Sequence, residues 1–560
     1  MGTEDPTEWS KATHGIAYGN ALCQFSPIHI HQLPPELLTK IFIDLRRIWV
    51  NNHPQDTRHI PAPWVIVMEV YRRWRDIAHE SPLLWSYIPA SYSRCILEKC
   101  LDLSKSAPLV VHLAERMTSS QVYLLLKEAA PRLRCLKVVL SDDEDSLPGF
   151  RSLLSSPAPL LGSLSIELWM YGKERMPDWM EGLFAGNTPR LRHLSLQGRQ
   201  VRAPFLKNLT ILEIMHPYPK LNGTVLLSAL HHLPDLISLR MVQTLQRPED
   251  HIRTPAYSYT PIPEIAGVVV MSSLKLLSIY GGCYIKDLDF LSHLSYPSTT
   301  TLLFSSASPV HHRSPIAAIT DFLKINASTR QDFGAFTPTK IEFMLFYRRL
   351  KLNLMDNHKT LCALKLGKYS HRLDVSCTPD LDRLLPYLSF PTITHFSMGC
   401  YTTPSAWPVI SSHFPGLKHL AVESMHKSEV ATIFKARIED SRTEPSRTPI
   451  FPNIRTLHIK NGFLDDDCKE KLVQALRDRK KASCGLEKIG VDECDQIDDE
   501  FVTSLGLVEG LSVIRCVCDH RDPEDDRYVQ YADENDQGEI FRSDVDERYY
   551  VHSYMKDDDM

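Results

Sequence analysis

No stretch of this 560-residue sequence is apolar enough to cross a bilayer, and mean hydropathy is −0.21. The first thirty residues carry Glu4, Asp5 and Glu8 and lack a basic start followed by an apolar block, so no secretory signal is expected. Cysteine is sparse and scattered: there are thirteen, several of them, such as Cys135, Cys362 and Cys516, inside apolar patterns. Without export these read as reduced, small hydrophobes, not as a disulfide framework. The sequons at Asn208, Asn222 and Asn326 then carry little weight. The cytosol or nucleus is the expected compartment, with no membrane contact.

Catalytic signatures are missing as well. There is no G-x-x-x-x-G-K-[ST], no H-E-x-x-H and no G-x-S-x-G. Gly281-Gly282-Cys283 follows an expected strand and reads as a turn with a free thiol. Cys516-Val-Cys518 has the wrong spacing for a metal knuckle, and His231-His232 and His311-His312 lack partner ligands. No catalytic residue, metal or cofactor is expected.

Nor does one sign of charge dominate. The net charge of −5 comes from one end. Residues 519–560 hold 15 acidic and 5 basic side chains, a net of −10, which leaves 58 basic and 53 acidic, about +5, for the rest. A weakly basic body with an acidic tail has no nucleic-acid footprint. The tail composition predicts a solvated, disordered terminus.

What is present is a repeat. The pattern L-x-x-L-x-L, with other apolar residues tolerated, recurs from 133 to 516. Copies begin with Leu133/Leu136/Val138, Leu161/Leu164/Ile166, Leu191/Leu194/Leu196, Leu209/Leu212/Ile214, Leu236/Leu239/Met241 and Leu274/Leu277/Ile279. They continue as Ile341/Met344/Phe346, Leu361/Leu364/Leu366, Ile393/Phe396/Met398, Leu417/Leu420/Val422, Ile454/Leu457/Ile459, Leu486/Ile489/Val491 and Leu511/Ile514/Cys516, with a weaker copy at Leu302/Phe304. The fourth and sixth positions alternate with polar residues and so face one side of a short strand. Pro131, Pro159, Pro189, Pro234, Pro391, Pro415 and Pro452 each lie two residues before the first apolar position, where a fixed φ and a missing donor end the preceding helix. One strand of this kind cannot bury its face alone; stacked copies can.

These residues resemble leucine-rich repeats. Leu486-x-x-Ile489-x-Val491-x-x-Cys494-x-x-Ile497 is similar to the cysteine-containing subtype often found behind F-boxes. The copy spacing wanders outside the ~20–29 residues of a regular array, so the resemblance implies an irregular solenoid over 91–518. Insertions are expected near 242–272, 305–338 and 437–450. The fold class expected is α/β, with short parallel strands alternating with helices or loops.

Residues 31–90 differ in character. Leu33-Pro34-Pro35-Glu36 opens a helix with proline and an acid in its first turn. Leu37, Leu38, Ile41, Phe42 and Leu45 follow at helical spacing as one apolar face. After a polar stretch, a second helix is expected from about Trp64 to His79, ended by Ser81-Pro82, with Leu83, Leu84, Trp85 and Ile88 beyond. The phrases Leu33-Pro34-x-Glu36-Leu37, Val70-Tyr71-Arg72-x-Trp74-Arg75 and Leu84-Trp85 resemble a three-helix F-box, especially those of mushroom-forming fungi; Tyr71 stands where the family has cysteine.

That resemblance implies the substrate-recognition subunit of an SCF (Skp-type adaptor, cullin, F-box) E3 ubiquitin ligase, itself non-catalytic. Residues 1–30 would be an extension and 519–560 the acidic tail. The adaptor would be met by Leu33, Pro34, Glu36, Leu37, Ile41, Phe42, Val70, Trp74, Leu84 and Trp85; Trp74 and Trp85 fit a core role equally well. The protein target would bind the polar positions between the repeat's apolar residues, with Arg192, His193, Ser195, Arg240, Lys275, His419, Arg455 and His458 as candidates, against the alternative of a solvated sheet face. The other function class is a repeat scaffold whose N-terminal module serves a complex without ubiquitylation.

Overall fold

Strands with alternating apolar residues close their buried face only against neighbours built the same way, and the C-terminal part of this chain supplies such neighbours in series. The computed structural model describes residues 30, 33–52, 63–88, 94–113, 120–141, 147–169, 183–184, 186–197, 208–215, 223–242, 267–282, 284–306, 315–331, 337–346, 349–356, 359–366, 384–388, 390–399, 406–423, 450–460, 464–492 and 497–516. The chain divides into two compact units, 1–107 and 108–560. Among the described residues there are thirteen α-helices and a large, mostly parallel sheet that does not close into a barrel. No described helix is long and apolar enough to cross a membrane.

The first unit holds α1 (Pro35–Asn52), α2 (Pro63–Val70), α3 (Arg72–His79), α4 (Pro82–Trp85), the short strand β1 (Tyr87–Ile88) and α5 (Arg94–Leu103). The single helix expected over 64–79 is two, because Tyr71 is extended (φ −154, ψ 139). The Arg75 side chain seals the break, its Nε donating to the Met68 carbonyl at 2.9 Å, a carbonyl that a continuous helix would have satisfied itself. Leu38, Phe42, Trp49, Val67, Ile77, Leu84, Trp85 and Ile88 are buried together. Polar ties fix the helices: Thr39 Oγ1 meets Ser81 Oγ at 3.1 Å, Arg46 reaches the Ser86 hydroxyl at 3.2 Å, and Trp85 Nε1 donates to Ala78 O at 2.8 Å.

The second unit contributes strands β2 (Leu109–Leu113), β3 (Leu133–Ser141), β4 (Ser163–Trp169), β5 (His193–Gln197), β6 (Ile211–Met215), β7 (Ser238–Val242), β8 (Val269–Val270), β9 (Leu276–Gly282), β10 (Leu294–Pro297), β11 (Thr301–Ser306) and β12 (Arg330–Gln331). They continue as β13 (Lys340–Phe346), β14 (Arg349–Asp356), β15 (Lys359–Leu366), β16 (His395–Gly399), β17 (His419–Glu423), β18 (Thr456–Lys460), β19 (Lys488–Asp492) and β20 (Ser512–Cys516). Strands β8, β10 and β12 form a small sheet of their own. The fourth position of the repeat runs in register across β3, β4, β5, β6, β7, β9 and β11 as Leu136, Leu164, Leu194, Leu212, Leu239, Leu277 and Leu302. A second run crosses β16 to β19 as Phe396, Leu420, Leu457 and Ile489. All of these side chains are buried.

The prolines act through a turn. In most copies the N–H of the first apolar residue donates to the carbonyl three residues back, as in Leu161 to Ala158 (3.1 Å) and Leu417 to Phe414 (3.1 Å), which puts proline at the second position of a β-turn, where its φ is preset. One residue on, a backbone ladder links copy to copy: Gly162 N to Arg134 O, Arg192 N to Gly162 O, Thr210 N to Arg192 O, and likewise Lys418, Arg455 and Glu487, at 2.8–2.9 Å. Pairing therefore begins before the strands themselves.

Three expected copies are out of phase. Ile341 lies opposite Phe396, so it is a fourth-position residue and Phe343, not Phe346, takes the sixth. Cys362 lies opposite Leu302 and Leu364 opposite Phe304, a two-residue correction. Both strands belong to a meander in which β14 runs antiparallel between β13 and β15. Strand β15 follows β14 antiparallel, and neither Ile341 nor Leu361 has a proline two residues before it, so an entry leucine has no meaning there. The meander also reverses local order, with β15 beside β11 and β13 beside β16. At the last copy Val513, not Ile514, lies opposite Ile489.

Of the expected insertions, 243–266 and 424–449 lie outside the described residues, as do 1–29 and the tail 519–560. The segment 305–338 contains the helix Pro315–Thr329. Asn326 of the third sequon is 1% exposed and accepts from Tyr296 Oη (3.0 Å) and Arg330 Nε (2.9 Å), so it is a packing residue. Helices Asp466–Lys481 and Asp499–Gly506 start at Asp465 and Asp498, whose carboxylates accept from Cys468 N (3.0 Å) and Phe501 N (2.6 Å).

Candidate functional site

Helix α1 carries two apolar stripes. Leu38, Phe42 and Trp49, at i, i+4 and i+11, form the buried one. Leu37, Ile41 and Ile48 repeat that spacing one residue earlier, about 100° round the helix. Leu37 is 49% exposed and Ile48 57%, with Leu45 at 38% between them and Ile41 half-buried. On α2, Ile66 and Val70 are exposed too. Pro34 and Glu36 are exposed, Leu33 is half-buried, and Arg73 Nη2 holds the Leu33 carbonyl at 3.0 Å.

Three residues expected at an adaptor contact are instead core: Phe42, Leu84 and Trp85 are at most 3% exposed. They fill the space between α1, α3 and α4, where their area is worth most. Trp74 is half-buried, its ring 5.7 Å from that of Phe42. Leu37, Ile41 and Val70 remain available, and Ile48 and Ile66 join them, although sequence reasoning did not single those two out. For Ile48 the signal was its i+11 spacing from Leu37.

The other candidate surface is the polar side of the large sheet. By register, positions two and three of the repeat hold Arg134, Arg192 and Lys275 in the first run and Lys340, Lys418, Arg455 and Lys488 in the second. Glu487 is the acid there among the described strands. Positions five and seven are mixed, with Lys137, Arg240 and Lys460 against Glu167, Glu213 and Asp492. Positive charge is thus concentrated in a belt where the strands begin. His193, His395 and His419 share it, the last two with rings stacked at 4.0 Å. Burial, then the charges of Lys418 and Arg455, holds His419 below the usual imidazole range.

Of the eight residues expected to face a target, Arg192, His193, Lys275, His419 and Arg455 fall on this belt. Arg240, His458 and Ser195 stand at position five, where Ser195, 3% exposed, is covered beside Glu213, its register partner on β6. Arg134, Lys418 and Lys488 were legible from the repeat but not picked out; Lys340 was hidden by the phase error at β13.

Two polar clusters cross the strands. Ser163 Oγ meets His193 Nδ1 at 3.2 Å; His193 Nε2 and Arg240 Nη1 lie 3.8 and 4.0 Å from Glu213, and Arg240 sits 6.0 Å from the Tyr280 ring. Burial opposes ionisation of Glu213, but His193, Arg240 and Ser195 overcome it and hold the carboxyl below its usual range. Serine, histidine and glutamate in this order suggest nucleophilic chemistry. However, 3.8 Å is too long for the orienting hydrogen bond, and the Gly162 and Arg192 N–H groups are spent on the ladder instead of an oxyanion. The second cluster is His458 paired with Asp492, its ring lying on Gly490, where a Cβ would come within 2.7 Å of His458 Cδ2.

Among the described residues, Asp465, Asp467 and Cys468 are the group with ligand-type atoms close enough to share an ion. Asp465 is spent as a helix cap, and burial, with Asp465, pushes the Cys468 thiol up to about 11, so it is a poor thiolate donor. In comparisons with known proteins, no family model and no curated protein matches this chain.

Proposed function

We propose that this chain is the substrate-recognition subunit of an SCF E3 ubiquitin ligase. Its N-terminal unit would be an F-box that docks a Skp-type adaptor and, through it, cullin. The second unit would be an irregular leucine-rich-repeat solenoid that holds the protein target on its polar sheet face. The chain does no chemistry itself; it raises the effective concentration of target lysines near a loaded ubiquitin-conjugating enzyme. One observation carries the reading: α1 exposes Leu37, Leu45 and Ile48 beside a core already closed by Leu38, Phe42 and Trp49. A second apolar stripe on a helix whose first is satisfied suits a helix-in-groove contact with a partner.

The test is reconstitution with purified full-length chain, a Skp-type adaptor and cullin, followed by size-exclusion chromatography with light scattering. A 1:1 complex with adaptor that recruits cullin is expected. Leu37→Asp with Ile48→Asp should weaken it at least ~100-fold, since two apolar anchors become buried charges. A chain that ignores the adaptor overturns the reading; adaptor binding without cullin would favour the scaffold role.

A further inference from the structure

The cations where the strands begin crowd together at β17, β18 and β19. Lys418, Arg455 and Glu487, all at position two, are tied backbone to backbone: Arg455 N donates to Lys418 O and Glu487 N to Arg455 O, each at 2.8 Å. That ladder holds neighbouring residues one strand spacing apart, roughly 4.8 Å. Lys488 follows at position three of β19, opposite Thr456. A fourth cation comes from the helix Asp466–Lys481. Lys480 runs past Gly485, where an added Cβ would lie 3.1 Å from its Cδ, and its Nζ ends 3.1 Å from the place a Cβ would take at Gly510. All four cations are exposed. Among the described residues, Lys418, Lys480 and Lys488 have no acid within ion-pair distance, and Arg455 has Glu487 at 3.4 Å, with both side chains more than half exposed. A pair that open contributes little and yields readily to a competing carboxylate. Like charges set side by side across strands destabilise a sheet, and an anionic occupant relieves that.

We propose that this cluster docks an Asp- and Glu-rich segment of another polypeptide, laid across the starts of β17, β18 and β19 with its carboxylates against Lys418, Arg455, Lys480 and Lys488. Glu487 on Arg455 marks the chemistry the cluster accepts, and a carboxylate of the ligand takes its place. Two features favour a polypeptide over a nucleic acid. Positions two, three and five of β16 to β19 hold no Phe, Tyr or Trp, the platforms on which the bases of a single strand would stack. Four cations are also few for a duplex, whose binders typically meet about 6–10 phosphates. Such a segment would belong to the protein target already assigned to the second unit, a reading on which this site rests, and adaptor binding at the first unit is not required for it.

The test uses the full chain without adaptor and a labelled polyglutamate peptide, read by fluorescence anisotropy. Binding is expected, and it should be lost in about 0.5 M salt, where the Debye length is only about 4 Å. Lys418→Ser, Arg455→Ser and Lys488→Ser together should weaken it about tenfold or more, with the thermal melt unchanged. Glu487→Gln removes the competing carboxylate and should tighten binding about threefold. Carbodiimide coupling should attach the peptide to Lys418, Lys480 or Lys488. No binding, binding that the triple variant keeps, coupling confined to other lysines, or tighter binding of an oligothymidine at the same residues would overturn the site. Adaptor binding by the triple variant, measured separately, should match wild type. A chain that takes the peptide at these lysines but ignores the adaptor would overturn the ligase reading and leave the site standing.

Discussion

In the second unit, Leu164 lies between Leu136 and Leu194, and each apolar residue of the runs is covered by the next copy of the same motif. In the first unit, Trp49 is 7% exposed while its neighbour Ile48 is 57% exposed. One unit repeats until its apolar surface is used up; the other closes a small core and leaves a stripe over. A body built of copies offers partners its polar face, where side chains vary without cost to packing. A short helical module has little interior, so its spare apolar stripe becomes the natural point of contact.

The sharpest way to break this contrast is within α1 and α4. Trp85→Ala should destabilise the first unit by about 3–5 kcal/mol, because a fully packed indole and its bond to Ala78 O are lost. Ile48→Asp should leave its unfolding midpoint in urea unchanged. Equal losses for both would mean that the stripe is core after all.

In the second unit the corresponding test is Arg479. It is wholly buried, and its Nη1 and Nη2 donate to the carbonyls of Ile450 (2.7 Å) and Phe451 (2.8 Å), tying helix Asp466–Lys481 to the turn before β18. Arg479→Met should cost about 2–4 kcal/mol by stranding two carbonyls. Hydrogen exchange should rise first over 450–460.

Acid probes the first strands of the sheet. Burial, with Lys137 nearby, depresses His112 to about 4, so the folded state favours the neutral ring. Between about pH 6.5, the unfolded value, and pH 4 the unfolded chain binds more protons, and stability present above 6.5 is lost as pH falls. A loss of about 2–3 kcal/mol across that window is expected in urea titrations, and His112→Gln should flatten it.

The smallest expected effect is on the polar face. Gly490→Ala would lift the His458 ring from its seat and separate it from Asp492, at a cost of about 1 kcal/mol. The through-space NMR contacts between the His458 ring and Asp492 should be lost, with the fold unchanged.

How legible all this was depended on local chemistry. Copies entered through a proline turn, such as Leu161, Leu191 and Leu417, could be placed to the residue because turn, ladder and strand follow in fixed order. Ile341 and Leu361 could not, since a long alternating strand satisfies several phases and only its neighbours choose among them. Tyr71 gave no sign that it would be extended; the break depends on Arg75 reaching back to Met68. Phe42, Leu84 and Trp85 share their residue type with any interface anchor, and only packing assigns them to the interior. The charge belt was half visible: the sequence shows the cations, but their alignment at positions two and three needs the register.

Hydrogen exchange on the full chain, alone and with a Skp-type adaptor, tests the account at its centre. Slowed exchange over Pro35–Asn52, with 450–492 unaffected, is the predicted result, and it should vanish with Leu37→Asp and Ile48→Asp. Unchanged exchange throughout α1, or protection that persists in that variant, would contradict the claim that the exposed stripe is where another chain sits.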